Sequence, residues 1–368
     1  MKKKMLKNVE WWVLAVAIIL STIGLVALFS ATQESGYDEF KKQIIWLVVS
    51  LVIMFIVMII DYELLAKISS IVYGVFIILL IAVLFTEPVN GASSWFNVGF
   101  MSFQPGEFAK ISVVLFLAYV ISKLQVRGKD EINKPWKLAI SILVVLLPVF
   151  LIIKQPDYGT AVTFLFVLVA MLFISGIKKK YIISALLLIL ISVPLIYQFV
   201  LPEHAKARID IFLNPESDAR GAGYNVLQSK LAIGAGQLTG MGVLKGNQTQ
   251  LGFLYPKTTD FIYSVIGEEM GFIVAGAVII LYVVLITKAI YIAKTSKDDI
   301  GAYMAIGIAS IFLFHMIENI GMTMGLLPIT GVPLLFISYG GSSMITSYIC
   351  IGLLLNISSK RQKAIFVK

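Results

Sequence analysis

The run WWVLAVAIILSTIGLVALF, Trp11 to Phe29, decides how the rest of the chain is read. It carries no charge, and about 20 apolar residues are what a helix needs to cross a bilayer core. The basic run Met1-Lys2-Lys3-Lys4 before it gives it the outline of a signal peptide. Its apolar core exceeds the roughly 7–15 residues of a signal h-region, and no convincing small-x-small cleavage site follows. It reads as a retained first helix. Similar runs recur at roughly 44–60, 68–86, 107–123, 136–153, 160–176, 181–200, 261–286, 300–321 and 334–357. The pattern predicts an all-α polytopic membrane protein of about ten transmembrane helices, one domain over 1–368. The alternating strands of a membrane barrel are absent. Composition agrees. Mean hydropathy is +0.92, and 14% of residues are charged, against about a quarter in soluble domains.

The net charge of +9 invites a nucleic-acid reading, but its distribution argues for topology. With ten spans both termini share one side, and that side collects 20 of the 30 lysines and arginines. The positive-inside rule makes it cytoplasmic. The basic balance therefore predicts orientation and attraction to anionic membrane lipid, not a nucleic-acid partner. Cys350 is the one cysteine, so no intrachain disulfide forms; with only His204 and His315 there is no zinc spacing.

One connection is long. Residues 201–260 are predicted to form an extracellular loop between helices 7 and 8. Apolar residues keep helical spacing from Tyr224 to Ile233, and Gly234, Gly236, Gly240, Gly242 and Gly246 follow. That reads as a short amphipathic or re-entrant helix and a tight turn. Backbone can leave a helix near a membrane only where protein or water satisfies it. The glycines lack the Gly-Lys-Ser/Thr of a nucleotide loop.

The topology sorts the polar residues. Gln104, Glu107 and Lys110 fall at the outer mouth of span 4, Asp157 at that of span 6 and Asp260 at that of span 8. Ser338-Tyr339-Gly340-Gly341-Ser342-Ser343 opens span 10 at the same level. Ionisable groups that share a level inside a membrane usually share a cavity. Each has a plain structural alternative. Asp260 suits a solvated loop or a helix N-cap, and Asp157 an N-cap. Glu107 and Lys110, at i and i+3, suit a mutual ion pair. Arg208 and Lys230 suit a solvated loop face, and His315 a satisfied interior histidine. Glu268 and Glu269, two turns into span 8, are harder to excuse, and one is expected to face the bundle. Glu318-Asn319 lies within reach of the outer half. Together the set suits an anionic substrate: Lys110, with Arg208 or Lys230, on a phosphate or pyrophosphate, and Asp260 accepting a proton from an attacking hydroxyl.

Several motifs carry a resemblance. They are Gly91…Trp95 with Phe103-Gln104-Pro105-Gly106-Glu107-Phe108-Ala109-Lys110; Gln155-Pro156-Asp157-Tyr158-Gly159-Thr160-Ala161; and Asn214-Pro215 through Gly223-Tyr224 to Ser229-Lys230. Thr259-Asp260-Phe261 with Gly267-Glu268-Glu269, Gly325-Leu326-Leu327-Pro328 through Pro333, and Ser338-Tyr339-Gly340-Gly341-Ser342 complete them. In order and over nearly the whole chain, they resemble the SEDS family of bacterial wall polymerases, the RodA, FtsW and SpoVE group. Gly246-Asn247-Gln248-Thr249-Gln250-Leu251 and the short tail look more like the RodA branch.

The resemblance implies a peptidoglycan glycosyltransferase that polymerises lipid II into glycan strands at the outer face of the plasma membrane, in an elongation and cell-shape role. It implies Asp260 as the essential acid, the base for the acceptor 4-hydroxyl, and undecaprenyl pyrophosphate as leaving group. It further implies a class B penicillin-binding protein as partner, other elongation-complex membrane proteins, and a divalent cation (Mg2+ or Mn2+) whose ligands are unknown. Substrate contacts fall to Gln104, Glu107, Lys110, Asp157, Arg208, Lys230, Glu268, Glu269, Ser338 and Ser342. The chain departs from the family at Ser93, Ser94 and Ser102, where arginines are common, and at Gly106, where serine is usual. Two other readings stand beside this one: a lipid II flippase, and a non-catalytic scaffold. The few charges in the inner halves of the spans count against the flippase.

Overall fold

The computed structural model describes residues 8–88, 92–98, 101–199, 202–218 and 221–361. Lys2, Lys3, Lys4, Gly91, Lys363 and Lys368 lie outside the described residues. Helices α1 (Trp11–Ala31), α2 (Asp38–Ile59) and α3 (Tyr62–Ala82) lead to a hairpin of β1 (Phe96–Val98) and β2 (Met101–Phe103). Then come α4 (Pro105–Leu124), α5 (Pro135–Lys154), α6 (Tyr158–Ile174) and α7 (Lys179–Phe199). The long connection contains α8 (Glu203–Leu213), α9 (Ala222–Ala235) and the single turn α10 (Asn247–Gln250). Helices α11 (Ile262–Lys294), α12 (Asp299–Thr323) and α13 (Gly341–Ser359) close the chain.

Among the described residues, eight helices are long and apolar enough to cross a membrane: α1, α2, α3 with its short extension, α5, α7, α11, α12 and α13. The shorter apolar α6, and α4 with its buried Glu107 and Lys110, occupy the positions expected of spans 6 and 4. Local signals set the boundaries. Pro105 and Pro135 open α4 and α5, where a missing N–H costs nothing. Asp61, Asp157 and Asp298 cap α3, α6 and α12 by accepting from the Glu63, Thr160 and Gly301 N–H groups. Helices α12 and α13 fill the centre of the bundle. Helix α7 lies at its edge, with none of its described span buried.

The connections sort into two ends, as an alternating bundle requires. At one end Lys129 pairs with Asp299, Lys297 with Glu63, Lys360 with Asp61 and Lys288 with Glu10. At the other, Lys257 pairs with Glu34, Gln104 with Asp157, and Arg208 with the 329–330 carbonyls.

Three features differ from expectation. The β1–β2 hairpin pairs Phe96 with Phe103 and sets the aromatic Phe103 against Phe108 at the start of α4. Helix α13 begins at Gly341 rather than near 334, because residues 334–340 fold as a turn around the Ser338 side chain. Helix α11 is broken at Gly271, with φ 76° and ψ −178°. Only glycine adopts that conformation readily.

The break at Gly271 is filled by the glycine-rich turn after α9; the sequence reading anticipated the turn but not the break. Met241 and Gly242 donate N–H to the Glu268 and Glu269 carbonyls at 2.9 Å. Phe272 and Ile273 donate to the Gln237 and Leu238 carbonyls at 2.8 and 3.2 Å. The groups orphaned by the break are thus satisfied by protein rather than left facing lipid. The fit leaves no room for a side chain: a Cβ on Gly271 would sit 2.2 Å from the Gly240 nitrogen. Gly271→Ala therefore meets both a forbidden conformation, about 1–3 kcal/mol, and a backbone clash. Its melting temperature in detergent is expected to fall by several degrees. Gly276→Ala, with open space around it, should melt as the wild type does.

Candidate functional site

Asp260 ends the long connection and stands two residues before α11. Its backbone is tied down from three directions. Asn319 Nδ2 donates to its carbonyl at 3.0 Å. The Ser338 hydroxyl donates to the Thr259 carbonyl at 2.7 Å. The Tyr339 N–H donates to the Thr258 carbonyl at 2.9 Å. The carboxylate is half-buried and faces Gly331, where a Cβ would lie 3.7 Å from Oδ2. Burial pushes the Asp260 carboxyl above the usual carboxylate range, opposed by a hydrogen bond from the Thr259 side chain and by the Arg208 cation.

Arg208, on α8, holds the facing wall. Its Nη1 donates to the Ile329 and Thr330 carbonyls, both at 3.3 Å. The Thr330 hydroxyl donates to Glu318 Oε1 at 2.6 Å. The start of α6 presses on the same segment, since a Cβ on Gly159 would sit 2.4 Å from a Val332 methyl. Asp157 caps that helix and accepts from Gln104 Nε2 at 3.2 Å. Burial raises its carboxyl too, against hydrogen bonds from Thr160. Ser342 accepts from the Gln104 N–H at 3.1 Å. Arg208, Asp260, Ser338 and the helix start that Asp157 caps therefore border or belong to the 329–339 segment, and Gln104 links Asp157 to Ser342.

Glu107 and Lys110 lie deeper. Both are 2% exposed, and Lys110 Nζ donates to Glu107 Oε1 at 2.7 Å. Lys110 Nζ also lies 2.8 Å from His315 Nε2. Thr346 donates to Glu107 Oε2 at 3.3 Å. Beside the pair is a void, lined also by Ser347 and Cys350, with room for about one water. Lys110 is thus enclosed by its ion pair rather than presented to a phosphate.

Glu268, Glu269 and Lys230 are placed elsewhere. Glu268 accepts from the Gln248 and Thr249 N–H groups and the Thr249 hydroxyl at 2.7–3.0 Å. Glu269 accepts from Ser30, Gly246 and Gln250. These carboxylates fasten α10 and its flanks to α1 and α11. The Lys230 side chain crosses Gly325 on an exposed surface, next to a small apolar pocket lined by Arg208, Phe212, Val226 and Leu327.

Sequence reasoning missed Gln43. Its amide accepts from the Gly340 N–H and donates to the Ser338 carbonyl, both at 3.1 Å. Gln43 follows Asp38, Glu39, Lys41 and Lys42 on the first turns of α2, so no sequence signal set it apart. Asn319, noted only for its depth, also donates to the Val332 carbonyl at 2.9 Å.

Residues 10–363 match the model of the FtsW, RodA and SpoVE family, described as "Cell cycle protein". The chain belongs to this family. It is 32% identical to the peptidoglycan glycosyltransferase RodA of Treponema pallidum, over 98% of this chain and 100% of that one. To the peptidoglycan glycosyltransferase MrdB of Escherichia coli K12 it is 34% identical, over 95% and 93%. It superposes on a chain of a solved peptidoglycan synthase complex, described as coordinating polymerization and crosslinking. The TM-score is 0.83 at 26% identity, covering 95% and 97% of the two chains. The rod shape determining protein RodA of Thermus thermophilus matches with a TM-score of 0.72 at 25% identity, over 96% and 98%. As a FtsW/RodA/SpoVE chain it is a membrane protein, consistent with its apolar helices.

Removing one partner of a buried pair leaves an uncompensated charge, at a cost of about 3–5 kcal/mol. Lys110→Met is therefore expected to lower the melting temperature sharply. Adding Glu107→Gln should recover much of that loss. Additive losses in the double variant would show that the two side chains do not depend on each other.

Proposed function

We propose that this chain is a peptidoglycan glycosyltransferase that polymerises lipid II, with Asp260 as the base. The single observation that carries the assignment of the base is the position of Asp260. It is a half-buried carboxylate, rigidly held at the mouth of the bundle and influenced by one cation, Arg208. Belonging to a family with relatives named as such enzymes supports the reaction class.

In this reading the acceptor 4-hydroxyl gives its proton to Asp260 as its oxygen bonds to the anomeric carbon of the growing strand. The bond from that carbon to undecaprenyl pyrophosphate breaks, and the pyrophosphate leaves with the electron pair. Without a covalent intermediate the anomeric centre inverts. A pyrophosphate facing a cation needs little help from a general acid. Arg208 suits that task better than Lys110, because its cation acts at Asp260 while Lys110 is enclosed.

We place the site on the outer face, with α4 and α6 also crossing the bilayer and both termini in the cytoplasm. The excess of lysine and arginine at the opposite end supports this orientation. A class B penicillin-binding protein fits as the crosslinking partner, given the complex that the fold resembles. Other elongation proteins are the further expectation. Among the described residues no group of three or more His, Cys, Asp or Glu gathers to hold a metal. We propose that a divalent ion, where one serves, arrives with the pyrophosphate oxygens.

Asp260→Ala should give a folded membrane protein that makes no glycan polymer from lipid II; normal polymerisation by that variant would sink the mechanism. The pH dependence has a defined sign. A base acts only when ionised, so turnover should rise with pH through a midpoint above the usual carboxylate range. Arg208 favours the ionised form, so Arg208→Gln should move that limb to higher pH. A limb unchanged in Arg208→Gln would remove Arg208 from the electrostatics of the base.

A further inference from the structure

Two α12 side chains that the reaction does not use, His315 and Asn319, lie one helical turn apart, at i and i+4, and therefore on one face. Both are fully buried. Both hold the same strip of backbone. Asn319 Nδ2 donates to the Val332 carbonyl, and His315 Nδ1 lies 2.8 Å from the next carbonyl, that of Pro333. Their other contacts run in opposite directions. Asn319 reaches outward to the Asp260 carbonyl at 3.0 Å. His315 reaches across the bundle to the Lys110 ammonium at 2.8 Å.

The chemistry of these contacts fixes the imidazole. A carbonyl oxygen only accepts, so the Nδ1 facing Pro333 carries the proton. The Lys110 ammonium only donates, so the Nε2 facing it carries a lone pair. His315 is therefore a neutral ring in the Nδ1–H tautomer, accepting on one side and donating on the other. The ring presents its donor beside Cβ and its acceptor on the far side, whereas an Asn or Gln amide presents both at its tip. An ordinary core histidine could be replaced by any polar residue that satisfied one neighbour; this ring spans two.

We propose that His315 is a positioning residue, a bridge of fixed tautomer that ties the buried Glu107–Lys110 pair to the 332–333 backbone. Through Asn319 it thereby sets where Asp260 stands relative to that pair. The proposal rests on the polymerase reading for its activity test, but its geometry is independent of that reading. Shifts of about 1 Å in a positioned group are enough to cost up to 100-fold in rate.

The experiment uses the full-length protein in detergent and has two arms. In the first, 15N-histidine labelling reports the tautomer. The chain has two histidines, so His315→Asn assigns the His315 signals by their loss. The expected result is a neutral ring protonated at Nδ1, with an Nε2 resonance that shifts in Lys110→Met. A ring protonated at Nε2, or an Nε2 signal indifferent to Lys110→Met, overturns the proposal whatever the activity. In the second arm, glycan polymerisation from lipid II is measured for His315→Asn and His315→Gln. Asparagine keeps a donor near Nδ1 for Pro333; glutamine keeps an acceptor near Nε2 for Lys110. A bridge needs both ends, so each variant should lose about tenfold or more in turnover. Apparent KM for lipid II should stay close to wild type, and the melting temperature should fall only by the few degrees that one lost buried hydrogen bond accounts for. Wild-type turnover in either variant overturns the bridge, as does a loss of turnover that only tracks a loss of melting temperature. A wild-type protein that makes no polymer refutes the polymerase reading and leaves the tautomer arm to decide the bridge alone.

Discussion

The Lys110 ammonium sets the terms for the centre of this protein. An unpaired ammonium in a low-dielectric interior is prohibitively costly, so everything within reach of it must be arranged to compensate. Glu107, one turn earlier on the same helix, supplies the opposite charge. His315 supplies a neutral acceptor from α12, and Thr346 on α13 satisfies the second oxygen of Glu107. Three helices are thereby held at one point by groups that tolerate little displacement. Leucine packing elsewhere in the bundle allows sliding; charge-assisted hydrogen bonds do not allow it to the same degree.

The same requirement operates on the backbone at the edge of the membrane. Helix α11 breaks at Gly271, and the residues flanking the break expose carbonyl and N–H groups that lipid cannot satisfy. The turn at 237–242 fills that need with main-chain hydrogen bonds. Glu268 and Glu269, on the last turn before the break, grip residues 246–250 and Ser30. The first part of α11, with Asp260 just ahead of it, is therefore anchored to the long connection rather than carried only by the bundle. Lys257 adds a further tie, donating to the Thr249 carbonyl and pairing with Glu34.

Span positions were legible because about 20 apolar residues leave little choice of structure in a bilayer. Most observed helices begin and end within a few residues of the apolar runs. The exceptions are instructive. Residues 334–340 are apolar enough to read as helix, yet Ser338 folds its hydroxyl back onto the Leu334 N–H and makes a turn. Hydropathy does not register such a contact. The break in α11 was hidden because Gly271 sits in continuous apolar sequence, and glycine is common inside membrane helices. Among site residues, the sequence reading set Gln104, Glu107, Lys110, Asp157 and Asp260 at one level; in the structure Gln104 meets Asp157, while Glu107 and Lys110 are enclosed in the bundle. It could not tell a carboxylate that faces open space from one that caps backbone. Glu268 and Asp260 are both acids at the same rim, and only the partners around each distinguish them.

Those partners also explain why one rim acid suits a base. Glu268 has three donors, all from the fixed 248–249 turn, and they occupy most of its lone pairs. Asp260 has its backbone immobilised but its carboxylate lightly engaged, by the Thr259 side chain and the field of Arg208. Rigidity at the main chain with spare capacity at the carboxylate is what proton transfer requires. The group must not wander, and it must still have a lone pair to offer. Arg208 occupies a similar middle position. It is fastened to the 329–330 carbonyls through Nη1, which orients a planar fork whose charge acts on the mouth of the site. Lys110 has the same charge, but its ammonium is enclosed between Glu107 and His315.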